Sequence, residues 1–443
     1  MQIPILIAAF SVFEAIAAES QYGLTGGWSG WGANVFNNRW ASENTEISSH
    51  NIHSLEHKCQ FDYPFGVSAT PVTLNEMVYF PTWSGEFVAV NYLTCKVQWQ
   101  INITSLIEEY LPITGTATIT KHVSRSSPQI DGDTLFFGTI THALIVAINR
   151  HTGQVLGQVQ VNPHPLAILT TSPTFYDNKL FVGAASLEET GADHIPDYPC
   201  CSFVGNMVAL SFDKFHNCFN VEWNVTMLPL QSNWSGAALW GSQPAIDSVR
   251  KQTISCGGGL LPPVNPQNCP PEPGVDADFG MAPTFIPYGG KNNQDAIVVG
   301  QKNGVIYSMS AETGKLLWST ITSPGGAGGG LSWGMAVDNQ RVYFTAISSA
   351  SKTWQLQPSH LTINNSAYGA VSLDSGSILW ETPAPESAVA YGPPTAVGDV
   401  ILVARTGDNI ADYENTGGGL IALSQKMGEL LLILAFLLIS TAA

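Results

Sequence analysis

Charge is scarce in this chain, and positive charge scarcer still. Only 12% of the 443 residues are charged, with 17 Lys and Arg against 34 Asp and Glu. A formal charge of −17 repels phosphate backbones and anionic membrane surfaces, which excludes nucleic acid as a partner. No Cys-x-x-Cys-His occurs, so there is no c-type haem attachment site. If the chain carries out redox chemistry, its electrons leave to an external acceptor. No linker is evident either, because Gly and Pro are spread over turns along the chain. One large domain is therefore expected. What is abundant is glycine, 42 residues, and aromatics, 10%, a composition suited to many short strands crowded around an axis.

A strand phrase recurs along the sequence: an alternating apolar run, a Thr-Gly or Ser-Gly step, then a second run that often ends in Trp. Copies span Phe87 to Trp99, Leu144 to Leu156, Met207 to Trp223, Val305 to Trp318, Gly369 to Trp380 and Gly419 to Leu431. Each reads as a hairpin with the turn chemistry it needs. A second phrase, small residue-Pro-apolar followed by a polar turn and an apolar run, precedes several of them, for example from Ala69, Ser127, Ser172 and Pro393. Two hairpins per period make a four-stranded blade, and the repeat predicts an all-β fold, a β-propeller. The repeats are spaced by about 60 residues except between Leu210 and Met309, where the interval is about 100. There the stretch from Cys256 to Pro273 is built of Gly, Pro, Asn and Cys and cannot supply a hairpin. The expected ring has six to eight blades, one of them reduced or missing.

Both ends of the chain are atypical. Residues 1–18 are apolar and close on Ala15-Ile16-Ala17-Ala18, a small-x-small cleavage pattern that predicts a signal peptide and a secreted protein. Sequons at Asn102, Asn224, Asn233 and Asn364 agree with glycosylation on that route. Of the seven cysteines, most would pair in an oxidising compartment and at least one is left over. The propeller is expected over 19–431 and an apolar tail over 432–443. That tail is too short to span a bilayer comfortably. It reads as a closing strand, as an atypical end, or as a lipid-anchor signal with Gly417-Gly418-Gly419 or Ser424 as the small residues upstream. Only in the last case is a membrane a partner.

Further motifs make the chain similar to the pyrroloquinoline-quinone (PQQ) dehydrogenase superfamily, and within it to the polyvinyl-alcohol-dehydrogenase-like proteins. They include Trp31-Gly32, Asn38-Arg39-Trp40, Arg125-Ser126-Ser127-Pro128, Val182-Gly183 through Glu188-Glu189, and Cys200-Cys201-Ser202-Phe203. They continue with Ala238-Leu239-Trp240-Gly241, Asp278-Phe279-Gly280, Gln301-Lys302-Asn303-Gly304 and Leu331-Ser332-Trp333-Gly334. The resemblance covers Trp28 to Leu431.

This resemblance implies oxidation of a small-molecule or polymeric alcohol, with hydride passing from the carbinol carbon to PQQ. A Ca²⁺ polarises the quinone and a carboxylate takes the hydroxyl proton. Residue by residue, it implies that a disulfide between Cys200 and Cys201 forms one face of the quinone site and that Trp240 stacks on the other. Lys302 would reach the quinone oxygens, Glu188 (with Glu189 as the fallback) would ligate Ca²⁺, and Arg125 and Trp333 would wall the chamber. Each has a plainer reading: cysteines paired elsewhere, a core indole, a turn lysine, a solvated loop acid. Asp276 and Asp278 are expected to be structural.

The chain also departs from the family pattern. Where a Thr-Gly-Asn step would place a Ca²⁺-ligating Asn, it reads Gln252-Thr253-Ile254-Ser255-Cys256-Gly257-Gly258. The segment carrying the proton-accepting Asp, due before Asn265, is absent, and Val204 replaces an expected basic residue. No catalytic base is therefore assigned. A catalytically inactive extracellular binding propeller is the alternative expectation, and a shortened version of a normal enzyme is a third.

Overall fold

The computed structural model describes residues 28–435 except 44–45, 64, 230–233, 242, 251, 255–277, 291–292, 327, 386–387 and 406–418. The expected signal peptide, Asn233, Cys256, Cys269, Asp276, the absent-base segment and the tail beyond 435 lie outside the described residues.

Six four-stranded antiparallel sheets follow one another along the chain, each in the order inner to outer strand. Their inner strands are Val72–Leu74, Gln129–Asp131, Thr174–Tyr176, Thr284–Gly290, Ala336–Val337 and Thr395–Val397. Their outer strands are Lys96–Asn102, Val155–Gln160, Cys218–Thr226, Leu316–Ile321, Ile378–Pro383 and Leu430–Ala435. Between the third and fourth blades stands a single hairpin, Ala245–Asp247 paired with Gln252–Ile254. Its first strand adjoins the inner strands on either side. This is the reduced blade that the long repeat interval predicts. It is a β-propeller with half a blade in one place.

The closing strand Leu430–Ala435 pairs antiparallel with Gly419–Ser424. The tail thus begins as a blade strand and runs past the expected boundary at 431. Gly419 and Ser424, the described residues considered for lipid attachment, are part of that sheet. No described helix is long and apolar enough to cross a membrane.

The recurring Trp and Gly turn out to be one device. The indole ending one blade packs on the turn glycine of the next. A Cβ on Gly153, Gly376 or Gly428 would come within 2.8, 2.5 and 2.3 Å of Trp99, Trp318 and Trp380 respectively. These glycines have φ of 74°, 71° and 66°, so the position needs both left-handed backbone and a bare Cα. Each indole N–H donates into the same turn, to Arg150 O (3.0 Å), Leu373 O (2.9 Å) and Gln425 O (3.0 Å). At the half-blade the device has no partner. Trp223 of the third blade is 37% exposed and leans on Phe181 of its own sheet. Across the gap, a Cβ on Gly314 would meet no described atom within 4 Å. In the first blade Cys95, φ 54°, takes the glycine's place and is tied to Cys59 by a disulfide.

The channel is lined by the segment from Trp28 to Ala41, whose carbonyls take up the free inner-strand amides around the ring. Thr73, Ile246, Phe285, Val337 and Ala396 donate to Trp28, Val35, Phe36, Asn38 and Arg39 at 2.7–3.0 Å. Trp40–Ala41 then adds to the sixth blade as a parallel fifth strand. Buried Arg39 joins the sixth blade to the start of the first, donating to Pro394 O, Thr395 Oγ1 and Thr70 Oγ1. Buried apolar side chains fill the wedges between successive blades, each wedge a small core of its own.

Candidate functional site

Antiparallel strands send two kinds of connection to one end of the ring: those between second and third strands, and those from outer strand to the next inner strand. Every site residue expected from the sequence lies on such a connection. Arg125 leads into the second blade, and Glu188, Cys200 and Cys201 interrupt the third. Trp240 leads to the half-blade, Lys302 turns within the fourth, and Trp333 leads into the fifth. The connection between Gly183 and Asn206 carries the short helix Glu188–His194.

Cys200 and Cys201 are disulfide-bonded to each other, across a cis peptide bond. What holds this loop is Glu188. Its buried carboxylate accepts the backbone N–H of Ser202 at 2.6 Å and of Phe203 at 2.8 Å. It also accepts the Tyr198 hydroxyl at 3.1 Å and the Ser202 hydroxyl at 3.3 Å, and His164 Nε2 lies 3.3 Å away. Burial and the neighbouring Glu188 charge push the Tyr198 phenol up to about 12, so it stays a donor at neutral pH. Sequence reasoning did not pick out His164 or Tyr198, which sit in no motif.

A cavity of about 600 Å³ lies above this loop. Glu188, Glu189, Cys201, Phe203 and Trp240 line it, with the backbone of Gly236 and Ala237. Half-buried Trp240 packs on Val123, Ile140, Ile168 and Ala185. The Arg125 guanidinium stands 5.8 Å from its ring centroid, a cation–π separation. Burial pulls the Arg125 pKa down, because desolvation disfavours the charged form.

Lys302 and Trp333 stand to the side. Gly241 abuts the Gly280 carbonyl, and Gly280 in turn abuts the Lys302 side chain and Ser332. Lys302 is buried and its Nζ is 3.1 Å from Asp278 Oδ2. Trp333 is 38% exposed and meets Tyr391 edge to face. Val204, in place of the family's basic residue, bridges to Gly236 at the cavity wall.

The donor set fits a flat anionic ring. Cys201 and Trp240 border one cavity, and the Arg125 guanidinium stands against the indole. Among the described residues no cluster of carboxylates is assembled for a calcium ion. A hard cation needs six to eight oxygens. Both Glu188 oxygens accept backbone N–H groups. Glu188 is an anchor for the Cys200–Cys201 loop through these bonds.

A ring of four-stranded blades with such a chamber on its axis end defines the class: a PQQ-dependent-dehydrogenase-like β-propeller. A PQQ-repeat family model, described as outer membrane protein assembly factor BamB, matches residues 60–188 and 302–432, more than half of the chain. The protein belongs to that family. It is 26% identical over 408 residues to a polyvinylalcohol dehydrogenase of a Pseudomonas species, covering 81% of this chain and 60% of the relative. It is 25% identical over 380 residues to that of Sphingopyxis sp. (strain 113P3), covering 74% and 56%. The chain thus spans less than two thirds of the length of these relatives. Among solved structures, the quinohemoprotein alcohol dehydrogenase of Comamonas testosteroni superposes with a TM-score of 0.67 at 14% identity, over 95% of this chain and 74% of that one. A europium-containing methanol dehydrogenase gives 0.64 at 14%, over 96% and 87%. These two likenesses concern the fold.

Proposed function

We propose that the protein binds PQQ in the chamber beside Cys201 and Trp240 and oxidises an alcohol there, passing electrons to an external acceptor. The observation that carries this reading is the vicinal disulfide and the half-buried indole bordering one cavity, with the Arg125 guanidinium against that indole. When bound, PQQ supplies the oxidant that takes the two electrons and hydrogen of the carbinol carbon.

The protein's own residues bind and orient. Glu188 fixes the disulfide loop, Trp240 offers its ring, and Arg125 supplies a positive charge for a carboxylate. Lys302, held by Asp278, is a second cation facing the same end of the ring, and Trp333 contributes to the outer wall. Glu188, whose Oε2 accepts a single N–H, is the carboxylate available to a cation cofactor. The named relatives are dehydrogenases of a polymeric alcohol, which makes secondary alcohols the first substrates to try. A secreted location belongs to the same proposal, with glycans on Asn102, Asn224 and Asn364, all three exposed, and on Asn233.

The test is dye reduction by purified protein reconstituted with PQQ, with and without Ca²⁺, across primary and secondary alcohols. Turnover that Trp240→Ala and Arg125→Met diminish supports the reading. PQQ-loaded protein that reduces no dye with any alcohol contradicts it and leaves a binding propeller.

A further inference from the structure

A second cavity opens on the rim of the same end of the ring, between the fourth and fifth blades. Its volume is about 320 Å³. Ile321 and Pro324 of the fourth blade and Ile378 of the fifth make it apolar on two sides, and Trp354 adds an indole. Trp354 belongs to a small hairpin, Trp354–Gln355 with Thr362–Ile363, that leaves the fifth blade between its second and third strands. The blade repeat does not require this hairpin.

Two buried polar atoms in the cavity lining lack partners among the described residues: Glu381 Oε1 and Trp354 Nε1. Glu381 is 6% exposed, and only its Oε2 is used, accepting Gln357 N–H at 2.7 Å. An unmet buried polar group costs about 1–3 kcal/mol, so a pair of them, one acceptor and one donor, marks a place for a ligand. The buried Thr322 and Ser323 hydroxyls are committed within the protein, donating to Gly304 O and Ile347 O, and Ser323 Oγ also accepts the Gly325 N–H.

We propose that this rim cavity is a non-catalytic subsite for a polyhydroxylated carbon chain, which it holds while another part of the molecule reaches the chamber. A hydroxyl can donate to Glu381 and accept from Trp354, while the carbon chain lies along the indole, Ile321 and Ile378. Apolar walls with a sparse donor and acceptor are what such a ligand needs. The choice of ligand rests on the alcohol-oxidising reading. The site itself does not.

The experiment is calorimetric titration of a short vinyl alcohol oligomer into PQQ-free protein. Glucose is the parallel probe. The oligomer should bind, and Trp354→Phe and Glu381→Gln should each weaken binding about fivefold, the loss of one hydrogen bond, with melting temperature checking that both variants fold. Trp240→Ala should leave oligomer binding unchanged. Absence of binding, equal binding by wild type and both rim variants, or glucose bound in preference to the oligomer would overturn the proposal. Loss on Trp240→Ala alone would place the oligomer in the chamber, overturning the rim site while sparing the dehydrogenase reading. Because no PQQ is present, a protein that turns over no alcohol can still pass this test.

Discussion

At the scale of single residues, Glu188 does its work through the backbone. Replacing it by Ala leaves the Ser202 and Phe203 amides buried without acceptors, and an orphaned buried donor costs about 1–3 kcal/mol. Glu188→Ala is expected to lower stability by at least about 2 kcal/mol, and by the same amount in Ca²⁺ as in chelator, as thermal melts in both would show. A loss seen only with Ca²⁺ present would favour the metal-ligand reading. Glu381 behaves in another way. Burial pushes its carboxyl from 4.5 up to about 7, opposed by the Gln357 amide. The native state therefore keeps a proton that the unfolded chain gives up. Its contribution is complete below about pH 4.5 and is lost as pH rises towards 7. Glu381→Gln should match wild type at pH 4.5 and melt higher than it at pH 8. Parallel curves across that range would contradict the assignment. The two cases differ in legibility. Cys200-Cys201 and Trp240 were visible because motifs carry them. The duty of Glu188 was hidden because it depends on amides fourteen and fifteen residues away, a loop geometry that no spacing rule encodes.

At the scale of elements, the Trp-to-Gly docking explains why the hairpin phrase ends as it does. Trp380 is buried against Gly428 and Trp223 is half-exposed at the half-blade. Truncation should therefore separate them. Trp380→Ala is expected to cost about 3–5 kcal/mol as a buried large-to-small change, and Trp223→Ala under about 1 kcal/mol. Chemical denaturation of both variants measures the contrast, and equal losses would mean that the docking is not what joins blades. The strands themselves were readable from alternation and Thr-Gly or Ser-Gly turns. The docking was not, because the partner of each Trp is a whole blade further along the chain. The channel segment from Trp28 to Ala41 was equally hidden. It reads as turns and polar residues, and takes its shape from inner-strand amides contributed by five separate places in the sequence.

At the scale of the whole molecule, the chain is a ring shortened at one blade. The long repeat interval announced this, and the unpartnered Trp223 and Gly314 on either side of the hairpin Ala245–Ile254 are its physical trace. The fold survives because each blade buries its wedge against its neighbours and the channel segment bonds to both flanks of the gap, through Val35 and Phe36. Trp240 lies on the connection that leads into the half-blade, and the other candidate residues lie on connections of the four-stranded blades. The two departures from the family pattern expected to bear on catalysis, at Gln252 to Gly258 and before Asn265, fall in the same long interval, so binding of the quinone and turnover of the alcohol are to be tested separately. The most direct test of the central claim is therefore calorimetric titration of PQQ into the unreduced protein, with and without Ca²⁺. Saturable binding, weakened by Trp240→Ala and Arg125→Met, is the predicted result. No heat of binding under either condition would contradict it and mean that the propeller has lost its cofactor.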